Sequence, residues 1–191
     1  MANVRAFVAV LLDAETRAAL GTAAEALRHH AGGLSVSWVA PENFHLTLKF
    51  LGGVDEARVP DVIDAVHEAV QRHAAFDLSV AGLGAFPSAT RPRVLWAGLR
   101  DGADALAALA ESVDGAVARL GFPREDRVFS PHVTLARVRE PRRAPALADA
   151  LAAAAARPFG RVPVRAATLM RSDLSPRGAR YTPLAAAALS G

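Results

Sequence analysis

Two tetrapeptides hold the residues best suited to chemistry, His45-Leu46-Thr47-Leu48 and His132-Val133-Thr134-Leu135. Both read histidine, apolar, threonine, apolar, and both lie in strand-like runs. Strand side chains alternate faces with a period of two. His45 and Thr47 therefore share one face, as do His132 and Thr134, while Leu46, Leu48, Val133 and Leu135 turn inward. With six His and seven Thr in 191 residues, chance supplies about 0.2 His-x-Thr tripeptides. Two in matching apolar context point to a shared task. They stand 87 residues apart, close to half the chain, which predicts two related lobes that each give one strand to a common cleft.

Imidazole titrates near neutral pH, so one ring can be a base while the other is an acid. Such a pair suits in-line displacement at phosphorus. The base takes a proton from the attacking water and the acid gives one to the leaving oxygen. Threonine hydroxyls and nearby arginines can hold the non-bridging oxygens. A two-histidine metal site needs a further ligand, commonly a carboxylate. No acidic residue sits at a matching position in the two motifs, so neither a metal nor another cofactor is expected. These residues alone leave open which imidazole is acid and which is base.

The elements that must position these groups alternate along the chain without a linker. Strands are expected at Val4–Leu12, Val36–Val39, Phe44–Leu51, Phe76–Phe86, Arg93–Leu99 and Val133–Val138, with a closing hairpin of Val164–Arg171 and Arg180–Ala186. Helices are expected from Asp13 to about His30, Ala57 to His73, Asp101 to about Leu120, and Pro145 to Ala156. About eight strands and four helices, many strands following one another directly, predict an α+β fold with antiparallel pairing.

Apolar residues make up 52% and charged residues 21%, a globular composition. The absence of cysteine excludes disulfides, a thiol nucleophile and cysteine-based zinc sites. No apolar run reaches transmembrane length, and Met1–Val10 lacks the features of a signal peptide. The expectation is a cytoplasmic protein with no membrane partner. The net charge is only +3, and Lys49 is the sole lysine. That balance suits a local basic site for one or two phosphates rather than general nucleic-acid binding.

The sequence resembles the RNA 2′,3′-cyclic phosphodiesterases, also called 2′-5′ RNA ligases, of the 2H phosphoesterase superfamily. The resemblance covers nearly the whole chain. It runs through Arg5-Ala6-Phe7-Val8-Ala9, Pro41 to Gly52 around the first motif, Phe86-Pro87, Arg91 to Trp96, Phe129 to Arg137 around the second, and Ser172-Asp173-Leu174 to Tyr181. Phe44 stands where leucine is more usual. The resemblance implies one two-lobed domain over residues 1–191, with antiparallel sheets and outer helices around a central cleft and two pseudo-symmetric lobes. It implies hydrolysis of terminal RNA 2′,3′-cyclic phosphates to 2′-phosphomonoesters, and an ATP-independent 2′-5′ joining of tRNA halves; a monomer is the separate expectation for its assembly. It makes His45 the proton donor and His132 the proton acceptor. Thr47 and Thr134 would hold the phosphate, and Arg137 would contact it. Other substrates fit the same motifs: a small cyclic nucleotide, an ADP-ribose cyclic phosphate or a 2′-5′ oligoadenylate. A non-catalytic RNA-end binder is the remaining alternative.

Several residues have plainer readings. His29 and His30 fall at a helix end, where they favour the dipole. His67 and His73 lie on a helix outside any strand context. Arg127 precedes the second motif and reads equally as a phosphate contact or a solvated charge. Phe7, Phe44 and Trp38 suit core packing, with base stacking as the alternative for one of them. Arg93 and Trp96 are similarly ambiguous. Lys49, two residues after Thr47, is expected to face the cleft by simple alternation.

Overall fold

The computed structural model describes residues 2–191. Nine strands and four helices follow in the order β1 (Asn3–Leu11), α1 (Ala14–His30), β2 (Val36–Trp38), β3 (His45–Asp55), α2 (Val59–Val70), β4 (Phe76–Phe86), β5 (Val94–Asp101), α3 (Ala103–Ala118), β6 (Val133–Val138), α4 (Pro145–Ala153), β7 (Pro158–Val164), β8 (Ala166–Ser175) and β9 (Gly178–Ala188). Short 3₁₀ turns at Pro41–Asn43 and Glu56–Arg58 lead into β3 and α2. Asp13 caps α1, its carboxylate accepting the Thr16 N–H at 2.7 Å.

The strands form one curled sheet in the order β7-β4-β5-β6-β3-β1-β8-β9, with β2 also on β6. Every paired strand is antiparallel. The two halves of the sheet, β7-β4-β5-β6 and β3-β1-β8-β9, meet where β3 and β6 touch at one pair, Leu46 opposite Val133. Beyond that pair the two strands part, which opens a cleft between the halves. The motif strands are thus central neighbours, and both histidines flank the junction.

Helices α1 and α4 back β4, β6 and β7, while α2 and α3 back β3, β8 and β9. All four bury their apolar stripes in a single core that includes Val8, Val10, Leu46, Leu48, Val133 and Leu135. Leu135, fully buried, anchors the motif strand to that core. Leu135→Ala is expected to cost about 2–5 kcal/mol of stability, the usual range for a leucine cavity, read as a lower urea midpoint at unchanged slope. A variant as stable as the parent would remove Leu135 from the core.

The fold departs from the sequence expectation at one strand. Pro158–Val164 contains Pro158, Gly160 and Pro163, residues that do not suit a strand interior, and no strand is expected over 158–163. It forms β7, the edge strand on β4, a position where proline is tolerated because one backbone side faces away from the ladder. Helix α4 accordingly ends at Ala153 rather than Ala156, and β8 begins only at Ala166.

Candidate active site

Both motifs contain the same irregularity. Between β1 and β3 the register steps from Ala9–Thr47 to Val8–Lys49, so β3 carries one extra residue at Leu48. Between β5 and β6 it steps from Trp96–Thr134 to Leu95–Ala136, so β6 carries one at Leu135. These are β-bulges, each three residues after its histidine. A bulge resets the alternation of faces. Leu48 and Lys49 are both buried, as are Leu135 and Ala136; the next residues, Phe50 and Arg137, are exposed. The burial sequence from His45 to Phe50 matches that from His132 to Arg137 position for position.

Two consequences follow. Arg137 lies five residues after His132 and would face the core in a regular strand; the bulge returns it to the cleft face with His132 and Thr134. Lys49 does the opposite. It pairs across from the buried Val8 and is only 7% exposed, so the expectation that it faces the cleft is corrected. Phe50 takes the cleft place instead. It stands opposite Phe7, their ring centroids 6.1 Å apart, and is 64% exposed. Simple alternation does not place a large exposed aromatic there, although the copied spacing of the two motifs is the signal for it.

The two imidazoles are held alike. His45 Nδ1 lies 2.7 Å from the carbonyl oxygen of Asn43, and His132 Nδ1 lies 2.7 Å from that of Ser130. A carbonyl only accepts, so each Nδ1 carries the proton and each neutral ring presents Nε2 as its lone-pair nitrogen. His45 Nε2 meets the Thr47 hydroxyl at 2.9 Å. The carbonyl of Asn43 is itself steadied, because the Asn43 side chain donates to the Ala179 carbonyl on β9 at 2.8 Å.

The surroundings of the two rings differ. His45 packs against Phe7, centroid to centroid 4.8 Å, and against the edge of Tyr181 at 5.3 Å. His132 meets Phe86 edge-on at 5.1 Å, and Phe86 in turn stacks on Trp96 at 5.2 Å. Trp96 lies across Gly84, where a Cβ would come within 2.3 Å of its ring. Burial lowers the His45 pKa below the ordinary 6.5. The hydrogen bond to Asn43 opposes this, and the charges of His132 and Arg137 lower it further. Burial raises the Tyr181 pKa, against the pull of Arg137 and Arg5. His132 and Arg137 thus act electrostatically on His45 across the junction of the two halves. A pocket of about 220 Å³ opens beside His45, walled by Phe7, Tyr181 and Met170 with Arg17 and Glu42 among its lining.

The sequence profile of the LigT-like phosphoesterase family matches residues 10–96 and 98–181. The chain belongs to the LigT-like phosphoesterase family. The RNA 2′,3′-cyclic phosphodiesterase of Methanothermobacter thermautotrophicus is 33% identical over 94% of this chain and 96% of that protein. The TT0787 protein of Thermus thermophilus superposes with a TM-score of 0.79 at 34% identity, covering 98% of both chains. LigT of E. coli, solved with 3′-AMP, superposes with a TM-score of 0.74 at 29% identity over the full length of both. As a LigT-like phosphoesterase the chain has the antiparallel α+β architecture anticipated from its sequence, built as one curled sheet.

The other candidates separate cleanly. His29, His30 and His67 are exposed on helices, and His73 bonds the Ser112 hydroxyl at 2.7 Å, away from the cleft. Phe44 is core, whereas Phe7 is buried on the cleft face, in contact with Met170 and Tyr181. Trp38 is half-buried beneath Arg28. The Arg127 and Arg93 side chains are exposed. Arg142 pairs with Glu140 at 2.8 Å on the surface. Among the described residues no helix is long and apolar enough to cross a membrane.

Proposed function

We propose that the chain hydrolyses terminal RNA 2′,3′-cyclic phosphates to 2′-phosphomonoesters, working as one two-lobed domain without a metal. The observation that carries this reading is the paired geometry of His45 and His132. Each has its Nδ1–H tied to the carbonyl two residues earlier, which makes Nε2 the lone-pair nitrogen of each ring, that of His45 in contact with the Thr47 hydroxyl at 2.9 Å. The name and near-complete coverage of the M. thermautotrophicus relative support the substrate class.

The product fixes the roles. A 2′-phosphate requires O3′ to leave. His132 Nε2 takes a proton from water as the water oxygen bonds to phosphorus. The P–O3′ bond breaks, and His45 Nε2–H protonates O3′. The turnover leaves His132 protonated and His45 neutral, and solvent exchange resets the pair. The asymmetry of the site favours this assignment. His45 is packed between Phe7 and Tyr181 and its pKa is lowered by burial, which makes its imidazolium a stronger acid than an ordinary histidine's. The His132 bond to Ser130 lies at the surface, where water enters. Thr47, Thr134 and Arg137 hold the non-bridging oxygens.

Phe50 occupies, in the first motif, the place that Arg137 has in the second. We read it as the stacking surface for the base of the terminal nucleotide. Base–aromatic stacking contributes about 1–3 kcal/mol, so Phe50→Ala should raise KM by about 5- to 150-fold with a small change in kcat, while Phe50→Trp retains the parent KM. Equal KM values for all three proteins would remove Phe50 from the substrate site.

The deciding experiment incubates an oligoribonucleotide ending in a 2′,3′-cyclic phosphate with the protein in excess EDTA. A 2′-phosphate product that is absent with the His45→Ala/His132→Ala protein is expected. A 3′-phosphate product, or no turnover by folded protein, overturns the reading. With a ribose 5′-hydroxyl in place of water, the same displacement joins two RNAs through a 2′-5′ linkage. Cleaved tRNA halves added to the assay test that arm.

A further inference from the structure

Lys49 is the only lysine in the chain and it is buried beneath the first motif. Its Nζ lies 2.6 Å from Asp114 Oδ1 and donates to the Pro123 carbonyl at 2.7 Å. Asp114, on α3, also accepts the Glu125 N–H at 3.1 Å on Oδ1 and faces Arg124 Nε at 3.0 Å through Oδ2. Desolvation pushes the Asp114 carboxyl up. The hydrogen bonds from Lys49 and the Glu125 N–H, with the charges of Lys49 and Arg124, outweigh it and hold the group below its usual range.

Packing does not call for a lysine at this position. Its counterpart after the second bulge is Ala136, fully buried. A buried ion pair is also a poor source of stability compared with an apolar pair of similar volume. What the pair does is tie down a segment. Residues 122–132 form neither helix nor strand. Among the described residues, no other hydrogen bond or ion pair joins 123–131 to the body of the protein; Phe129 rests on the core. That segment ends at Ser130, whose carbonyl receives the His132 Nδ1–H. In the first motif the matching carbonyl is steadied by the bond from the Asn43 side chain to the Ala179 carbonyl on β9; in the second, the contacts that hold the segment are those of the Lys49–Asp114 pair.

We propose that the Lys49–Asp114 pair is a positioning device for His132. It fixes the course of residues 123–130, hence the Ser130 carbonyl, hence the tautomer and direction of the His132 ring. Lys49 touches no reacting atom. It lets β3, which carries the first motif, set the geometry of the second. The kinetic consequence rests on the cyclic phosphodiesterase reading; the structural one does not.

The test replaces the pair with apolar residues, Lys49→Met/Asp114→Leu, so that no buried charge is left alone. The expected protein melts no lower than the parent, yet its kcat falls about 10- to 100-fold with KM changed by less than about 3-fold, the signature of a displaced catalytic group rather than lost binding. Nitrogen NMR of the ligand-free parent is expected to show neutral His132 as the single Nδ1–H tautomer, and the double variant to show a mixture. Lys49→Arg keeps a cation in place and recovers most of both readouts. A folded double variant with parental kcat overturns the proposal. So does a fall in kcat with His132 still a single tautomer. If the double variant fails to fold, Lys49→Met alone, which removes the donor toward Pro123 while Asp114 keeps Arg124 and the Glu125 N–H, is read the same way. A parent inactive on cyclic phosphate overturns the functional reading, and the tautomer comparison still decides the role of the pair.

Discussion

Replacing either imidazole, in His45→Ala or His132→Ala, is expected to lower kcat by about 10²- to 10⁴-fold, the usual worth of one general acid or base. The double variant should lose little more than the worse single one, because the two rings act as a unit. The pH profiles add a sharper expectation. In the free protein, burial holds the His45 pKa below 6.5, and the charges of His132 and Arg137 lower it further. A general acid works only while protonated, so the falling limb of kcat/KM that His45 sets lies at low pH. A bound phosphate brings negative charge beside the ring and favours the imidazolium. The same limb in kcat, which reports the complex, therefore lies at higher pH. Steady-state profiles of both parameters on a cyclic phosphate check this. Near-parental activity in either single variant, or coincident limbs, would count against the two-histidine mechanism.

The reach of the sequence can be judged at β3 and β6. Period-two alternation is enough to place His45 with Thr47 and His132 with Thr134, and to send Leu46 and Val133 into the core, where they form the pair joining the two halves of the sheet. Alternation fails immediately after each threonine. The bulges at Leu48 and Leu135 insert one residue without any glycine to announce it, since a bulge of this kind needs only an αR-like residue. That reverses Lys49 and conceals Phe50. Arg137 comes from family resemblance rather than from spacing, because a five-residue step points the wrong way in a regular strand. The β7 strand is hidden by its prolines, which the edge of a sheet tolerates. Tyr181 and the Asn43 and Ser130 carbonyls are beyond reach for another reason: their contacts with the histidines depend on tertiary placement or ring orientation, not on local pattern.

Arg137 gives the second large effect, and it can be read twice in one protein. Its bulge-directed side chain lies on the cleft face, and its charge acts on both His45 and Tyr181. If the guanidinium neutralises the charge that builds on the non-bridging oxygens, Arg137→Ala should lower kcat/KM by about 10²- to 10³-fold, comparable to removing one donor of an oxyanion site. Lysine restores the charge but not the planar fork that matches two phosphate oxygens, so Arg137→Lys should recover only part of the loss. The second reading concerns His45. A neighbouring cation disfavours the imidazolium, and its removal must raise the His45 pKa. The descending limb of kcat/KM should therefore shift to higher pH in Arg137→Ala and move less in Arg137→Lys. A surface arginine far from the phosphate would show neither effect. A lost rate without the shift would place Arg137 on the substrate but away from His45, and a shift without lost rate would make it a neighbour of the acid that never meets the phosphate. Only the two together fit a guanidinium that spans the junction between the motifs, holding the anion from one half of the sheet while tuning the acid on the other.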